Sequence, residues 1–205
     1  MSRFAVITDA AIAVVADLGM RGLTHRAVDA RAGLPLGTTS AYYRTRRALI
    51  EALVQRIADL DRVDLAENSL PAGDTPALGP GRRLGPSDLD QLATQIAALV
   101  DRWLTAGRSR MLARYACLLE ATHHPELRVI LDHGTASRAQ ARGILAAAGA
   151  TDPERAGDHL VACLDGLLFD RLVGAGTRSA PEPGTPESRS DLAAAIATLL
   201  RAMSG

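Results

Sequence analysis

Apolar residues recur along this chain at spacings of three and four, which is the pattern of helices with one buried face. No segment alternates apolar and polar residues as a half-buried strand would. Aromatic residues make up only 3% of the chain, whereas alanine and leucine are abundant, and this balance also favours helix. The sequence therefore predicts an all-α fold. The first stripe predicts a helix over about residues 4–18, and its members are Ile7, Ala11, Val14, Val15 and Leu18.

Residues 23–49 contain shorter segments with clear start and stop signals. Thr24 can begin a helix, because its hydroxyl accepts a hydrogen bond from the first turn. Gly33 can end that helix in the left-handed conformation. A second short helix is predicted over Leu36–Tyr43. Two short helices joined by a tight turn are the arrangement of a helix-turn-helix, which reads DNA with its second helix.

Beyond this region the chain continues as longer apolar stripes separated by two loops. A helix with Thr45 as its N-cap is predicted to reach about residue 65. Residues 68–86 and 174–190 are rich in glycine and proline and are interpreted as linkers, whose order the sequence leaves open. The first linker lacks the Gly-Lys-Ser/Thr of a phosphate-binding loop, which excludes that reading. Five further helices are predicted to begin near Pro86, Arg108, Pro125, Pro153 and Leu192.

The region around the two short helices resembles the tetracycline-repressor-like (TetR) family of transcriptional regulators over about the first 55 residues. Two positions depart from the family pattern, since many members carry an apolar residue in place of Thr39 and a tyrosine in place of Ser40. The resemblance implies a helix-turn-helix head of three helices (residues 1–47) and a helical body (residues 48–205) that binds a ligand and dimerises. The matching residues are Leu23, Thr24, Ala27, Ala32, Gly33, Leu34, Gly37, Thr38, Tyr42, Tyr43, Arg46 and Leu49.

The resemblance also implies which residues of the second short helix face the major groove. The hydroxyls of Thr38 and Ser40 can donate or accept hydrogen bonds at bases or phosphates. Ala41 can meet a thymine methyl group, and Tyr42 can reach a phosphate. Gly37 permits a close approach to the DNA.

Contacts with the DNA backbone are expected at the starts of two other helices. Thr24, His25 and Arg26 begin the first short helix, where they are placed to grip phosphates. Arg46 lies at the start of the long helix, where members of the family often use a basic residue on phosphate. Tyr43 is interpreted as a core residue.

Charge is distributed in agreement with DNA contact at one end of the chain. Residues 1–50 contain seven arginines and three aspartates, a net charge of +4, although the whole chain is neutral. The chain has no lysine, so arginine supplies every strong cationic contact. A basic head on an acidic body suits a partner such as double-stranded DNA.

The resemblance implies that the body holds a pocket for an unidentified small-molecule effector, and no cofactor is expected. Simpler interpretations remain open for these candidates. Trp103 and Met111 fit apolar stripes of a core, and Arg114 and Glu120 can be solvated surface residues. The candidate ligand contacts are Trp103, Met111, Arg114, Tyr115, Glu120 and His124.

The last two helices carry apolar stripes that are sufficient for an intramolecular core. The resemblance implies more, namely that these helices pair with the same two helices of a second copy. A two-fold dimer would then place two reading helices on a palindromic operator, about one DNA turn apart or slightly more. The interface residues expected on this basis are Leu160, Leu164, Leu167, Leu168, Leu172, Leu192, Ile196, Leu199 and Leu200.

Other functions find less support in the residues. No nucleophile with a plausible base and no phosphate loop is present, so an enzyme is not predicted. His123 and His124 would point about 100° apart on a helix, which makes them poor joint metal ligands. Cys117 and Cys163 lie within apolar helical patterns and are interpreted as core.

The predicted function is a DNA-binding transcriptional regulator, and more specifically a repressor that a small molecule releases from its operator. An activator of the same fold, or a helical partner-binding protein that has lost DNA binding, remains an alternative. The N-terminus lacks the apolar run of a signal peptide, and no segment reaches transmembrane length. The protein is therefore expected to be soluble and cytoplasmic.

Overall fold

The computed structural model describes residues 2–67, 83–123 and 134–204. Ten helices lie in these ranges, and none of the residues in them forms a strand, which confirms the all-α prediction. In this part of the chain no helix is long and apolar enough to cross a membrane. The helices are α1 (Arg3–Gly22), α2 (His25–Ala32), α3 (Thr38–Tyr42), α4 (Arg46–Glu67), α5 (Pro86–Leu104), α6 (Arg108–Glu120), α7 (Gly134–Ala147), α8 (Pro153–Val173), α9 (Gly176–Ser179) and α10 (Pro186–Ser204).

The helix caps near the N-terminus lie where the sequence predicts them. Thr24 Oγ1 accepts a hydrogen bond from the amide of Ala27 at 3.1 Å and begins α2. Gly33 ends α2 in the left-handed conformation, with a φ of 64°. Thr45 Oγ1 accepts from the amide of Ala48 at 3.1 Å, at the start of α4.

Two predicted boundaries were wrong. Helix α3 begins at Thr38 and not at Leu36, because the preceding residues form a turn in which the amide of Thr38 donates to the carbonyl of Pro35. The predicted linker at 174–190 contains α9 and the first turn of α10. Residues 68–82 of the first predicted linker, and the helix start predicted at Pro125, lie outside the described residues.

One compact unit comprises Met1–Arg62 and Gly107–His133. Its core joins one face of α1 to the first half of α4 and to α6. The predicted stripe of α1 is buried except at Leu18, which is 64% exposed. Gly19 breaks the helical backbone directly after Leu18 (φ 68°), and Met20 beyond the break is buried in the core instead. The largest fully buried side chains of this core are Ile7, Leu23, Leu49, Leu53 and Ile57.

The second compact unit comprises Val63–Ala106 and Gly134–Gly205. Within it α5 packs on α10, and α7 packs on α8. The α7–α8 crossing is close, because a Cβ atom at Gly157 would lie 2.5 Å from the backbone nitrogen of Arg142. The boundary predicted at residue 47 separates a DNA-binding head from a body that binds a ligand and dimerises. It concerns function and stays a prediction.

A buried aspartate closes the turn between α2 and α3. Asp29 is only 2% exposed, and its Oδ2 accepts a hydrogen bond from the amide of Gly37 at 2.8 Å. Its Oδ1 accepts from the amide of Thr39 at 2.7 Å and from the hydroxyl of Thr39 at 2.5 Å. The N-cap of α3 is Gly37, which has no side chain to offer. Asp29 therefore caps α3 from the preceding helix.

These hydrogen bonds outweigh the effect of burial on the charge of Asp29. Burial alone would raise the pKa of this carboxyl, since it disfavours the charged form. The hydrogen bonds from Thr39 and Gly37, with a smaller effect of His25, lower the pKa below its ordinary value. A lowered pKa means that the carboxylate stabilises the fold above about pH 4 and that this contribution is lost as the pH falls further.

We expect Asp29→Asn to lower the free energy of unfolding at pH 7 by about 1–3 kcal/mol, because the side-chain NH2 group cannot accept from the amide of Gly37. The difference from wild type should shrink below about pH 4, where the carboxylate of the unfolded wild-type chain begins to take up a proton that the folded chain still excludes. Urea denaturation followed by circular dichroism at pH 7 and pH 3.5 measures both effects.

Asp17→Asn is the matched control, since Asp17 forms an ion pair with Arg31 in which both side chains are about half exposed. Its loss should cost less than about 1 kcal/mol. Equal losses in the two variants, or an Asp29→Asn deficit that does not change with pH, would contradict the assigned role of Asp29.

Candidate nucleic-acid interface

Helix α3, called the reading helix below, presents several short side chains to solvent. Ser40, Ala41 and Tyr42 are exposed, and Thr38 is partly exposed. Thr39 is completely buried against Asp29. Thr39, where many family members carry an apolar residue, therefore makes a polar contact inside the protein. Ser40, where many members carry a tyrosine, lies on the exposed face.

Aromatic rings hold the end of the reading helix against the start of α1. The ring of Tyr42 meets that of Phe4 edge-on, with centroids 5.0 Å apart, and the Tyr43 ring lies 6.3 Å from Phe4. Tyr42 remains 43% exposed, so its hydroxyl is accessible to a partner. Tyr43 packs against the core, in agreement with its interpretation from the sequence, and burial raises its pKa.

His25 has a structural contact that the sequence did not indicate. Its Nε2–H donates to the backbone carbonyl of Tyr43 at 2.6 Å. This bond ties the start of α2 to the residue that ends the reading helix. His25 is only partly exposed, whereas its neighbours Thr24 and Arg26 are exposed. Of the three residues expected to contact phosphate, Arg26 is therefore the cation that is most exposed to solvent.

Arg46 is also used inside the protein. Its guanidinium donates to the backbone carbonyls of Met20 and Leu23, at the end of α1. A phosphate contact by Arg46 stays a prediction, and it would depend on the N–H groups that these two bonds leave over.

Arg44 is an exposed cation that was not among the contacts expected from the sequence. Arg26 and Arg44 are both exposed, and neither has a hydrogen bond or ion pair within the described residues. Arg47, by contrast, pairs with Glu51 at 2.8 Å. The run of arginines directly after the reading helix was the available signal for Arg44. The family pattern directed attention to Arg46 instead.

The candidate ligand contacts lie in different surroundings. Met111 is completely buried, and Arg114 donates to Asp61 Oδ2 at 2.5 Å in a largely buried ion pair. Tyr115 and Glu120 also belong to α6 in the first unit, and Glu120 ends that helix. Met111 is buried, and the other three are only partly exposed, so none of the four is a fully solvated surface residue.

Trp103 belongs to the second unit, where its Nε1–H donates to Asp64 Oδ2 at 2.8 Å. His124 lies outside the described residues. One open pocket of about 320 Å³ is lined by the start of α8, the two residues before it and the end of α10, and includes none of the candidates. Its lining residues are Thr151, Asp152, Arg155, Ala156, His159 and Met203.

Most side chains expected at a dimer interface are buried within their own chain. Six of them are no more than 2% exposed and belong to the core of the second unit, while Leu164, Leu167 and Leu199 are partly exposed. A second copy could not reach the six without opening that core, because a folded interior is already closely packed. The six are Leu160, Leu168, Leu172, Leu192, Ile196 and Leu200.

The opposite face of α8 is the one that solvent reaches. Ala162, Gly166, Phe169 and Val173 follow one another at spacings of four, three and four, and all are exposed. Phe169 is 42% exposed and Val173 is 49% exposed. The space around the Cα of Gly166 is open, since no atom lies within 4 Å of a Cβ placed there.

Comparison with known proteins identifies the family of the chain. The sequence pattern described as "Tetracyclin repressor-like, C-terminal domain" matches residues 87–202. No curated protein sequence matches the chain.

Solved structures agree with this match. A member of the TetR family from Streptomyces coelicolor A3 is 27% identical, with a TM-score of 0.64 and 95% of each chain covered. The multidrug binding protein EbrR complexed with ethidium is 27% identical, with a TM-score of 0.60 and coverage of 97% of this chain and 98% of that one. A transcriptional regulator from Rhodococcus sp. Rha1 shares the fold at 19% identity, with a TM-score of 0.72 and coverage of 100% and 99%. Because the sequence pattern spans more than half of the 205 residues, the chain belongs to the tetracycline-repressor-like (TetR) family.

Proposed function

We propose that this TetR-family transcriptional regulator is a homodimeric repressor that binds a palindromic operator and is released from it by a small molecule. The observation that carries DNA binding is the exposed face of the reading helix, together with two exposed arginines that have no partner within the described residues. Ser40 and Ala41 supply short side chains for the groove, and Tyr42 supplies a hydroxyl that can reach a phosphate. Arg26 in α2 and Arg44 directly after the reading helix supply cations for phosphates.

Two alternatives remain within the same fold. An activator would bind DNA in the same way. Deletion of an activator gene would lower the target transcripts, whereas deletion of a repressor gene would raise them. A partner-binding protein would show no DNA affinity at all. The exposed cations of the head favour DNA binding over the partner-binding alternative.

A small-molecule effector is supported by the relative EbrR, which is described as a multidrug binding protein complexed with ethidium, proflavin or malachite green. In this chain Trp103 is the single tryptophan, so its fluorescence reports on its surroundings alone. Saturable quenching of this fluorescence by malachite green, with release of bound DNA at the same concentrations, would support a pocket near this residue. Absence of quenching and of DNA release would argue against this ligand class.

A dimer is supported by the exposed apolar face of α8, defined here by Ala162, Gly166, Phe169 and Val173. The small residues allow two helices to approach closely, and the two larger ones supply apolar area to bury. A two-fold axis through this face would bring each residue close to its own copy or a neighbour. The interface then lies on the outer side of the helix whose inner leucines form the core.

We expect Arg44→Ala to weaken DNA binding and to make the slope of log affinity against log salt shallower by about one, because one phosphate contact is lost. Arg46→Ala should mainly destabilise the head, by about 1 kcal/mol, because two carbonyls at the end of α1 lose their donor. Fluorescence anisotropy with DNA from upstream of the gene, at several salt concentrations, is compared with thermal unfolding.

Arg178→Ala, an exposed arginine in the second unit, is the control and should change neither measurement. A salt slope that Arg44→Ala leaves unchanged would exclude Arg44 from phosphate contact. Failure of the wild type to bind any DNA in a genome-wide pull-down would reject the proposed function.

We expect Phe169→Glu to convert the dimer into a monomer, because two carboxylates would be buried against an apolar partner face. Sedimentation velocity measures the change, and far-UV circular dichroism verifies that the variant is folded. Leu119→Glu is the control, since Leu119 is 66% exposed on α6. A Phe169→Glu variant that stays dimeric would exclude this face as the interface.

A further inference from the structure

Three consecutive hydroxyl residues, Thr38, Thr39 and Ser40, form most of the reading helix and are called the hydroxyl run below. Each hydroxyl has one proton to donate and two lone pairs with which to accept. Which of these is available to DNA depends on where the proton is already used. The structure gives an acceptor inside the protein for all three protons.

The hydroxyl of Thr38 donates to the carbonyl of Pro35 at 2.6 Å. The hydroxyl of Thr39 donates to Asp29 Oδ1 at 2.5 Å. The hydroxyl of Ser40 donates to the carbonyl of Gly37 at 2.9 Å. Thr39 is completely buried, so only Thr38 and Ser40 can meet a partner, and each meets it with lone pairs alone.

The position of the hydroxyl run is held by the buried carboxylate. Asp29 binds the amide and the hydroxyl of Thr39, which lies between the other two residues. The reading helix therefore cannot turn to exchange its buried hydroxyl for an exposed one without breaking the contacts of a charged group that is 2% exposed. Thr38 and Ser40 are the members of the run that face outward as a consequence.

A hydroxyl that accepts from a base keeps its internal bond, whereas one that turns to donate to a base gives that bond up. Turning to donate to a base replaces one hydrogen bond by another and gains little. Accepting from a base adds a hydrogen bond. Phosphate oxygens are acceptors only, so they offer nothing to a hydroxyl without a free proton. Phosphate contact is left to the arginines and to Tyr42, whose hydroxyl has no hydrogen bond within the described residues.

In the major groove the available donors are the N6 amino group of adenine and the N4 amino group of cytosine, whereas guanine N7 and O6 and thymine O4 accept. We infer that Thr38 and Ser40 act as acceptors and that each half-site places the exocyclic amino group of an adenine or a cytosine against them. This inference rests on the proposed function, since it names the base chemistry that the same reading helix selects.

The test starts from DNA selected by the wild-type protein from a random duplex library. Each adenine or cytosine of the selected half-site is then replaced singly by nebularine or pyrimidin-2-one, which lack the amino group. In parallel, each adenine is replaced by 7-deaza-adenine, which keeps the amino group but lacks the N7 acceptor. Affinities of the wild type, Ser40→Ala and Thr38→Val are measured on every duplex.

We expect removal of the amino group at one or two positions to weaken wild-type binding roughly three- to tenfold, the effect of one hydrogen bond. Ser40→Ala or Thr38→Val should bind the natural duplex more weakly by a similar factor. At the matching position the variant should no longer respond to the loss of the amino group. Because the wild type and the variant are compared on the same duplex, any effect of the analogue on the stability of the duplex itself cancels.

Two matched variants control for indirect effects. Thr38→Ser keeps the hydroxyl and should behave as the wild type. Ser190→Ala removes an exposed hydroxyl from the second unit and should change nothing. The 7-deaza-adenine duplexes should bind the wild type and Ser40→Ala with an unchanged ratio.

The inference is overturned if a 7-deaza substitution weakens the wild type but not Ser40→Ala, because the hydroxyl would then be a donor to N7. It is also overturned if both variants keep the full response to the loss of every amino group. A library from which no duplex is enriched would instead reject the proposed function, and this inference with it.

Discussion

The carboxylate of Asp29 leaves water when the chain folds, and this is possible only because three donors from the following turn replace its solvent. The requirement works in both directions. The charge must find the amides of Gly37 and Thr39, and those amides, at the open start of a five-residue helix, must find an acceptor. A helix of that length has little stability of its own. Its place in the head therefore depends on a side chain from the helix before it.

The second compact unit uses the same chemistry at another junction. Asp101 near the end of α5 is 4% exposed and accepts from the amide of Gly184 at 2.9 Å and from the hydroxyl of Ser188 at 2.7 Å. Arg189 adds a charge-assisted contact at 3.4 Å. These bonds attach the start of α10 to α5, on which α10 packs. In both units a buried aspartate joins a completed helix to the beginning of another.

Local signals could be read from the sequence, whereas contacts between distant residues could not. The caps at Thr24 and Thr45 and the stop at Gly33 involve residues within one turn, so residue type and spacing suffice to predict them. The bond from Arg46 to Met20 spans 26 residues and follows no periodic pattern. In the sequence alone, where this bond is not visible, Arg46 cannot be distinguished from any other exposed cation at the start of a helix. The same limit applies to the proposed dimer face, because an apolar stripe in the sequence indicates that a surface is buried and does not show what buries it.

The contact between Arg46 and the end of α1 has a mechanical consequence. Arg46 is the first residue of α4, and its guanidinium holds the carbonyl of Met20 in the last turn of α1 and that of Leu23, which ends α1. If α4 slid past α1, those carbonyls would lose a charged donor. A displacement of the first turn of α4 would therefore act on the end of α1 and on the link that leads into α2.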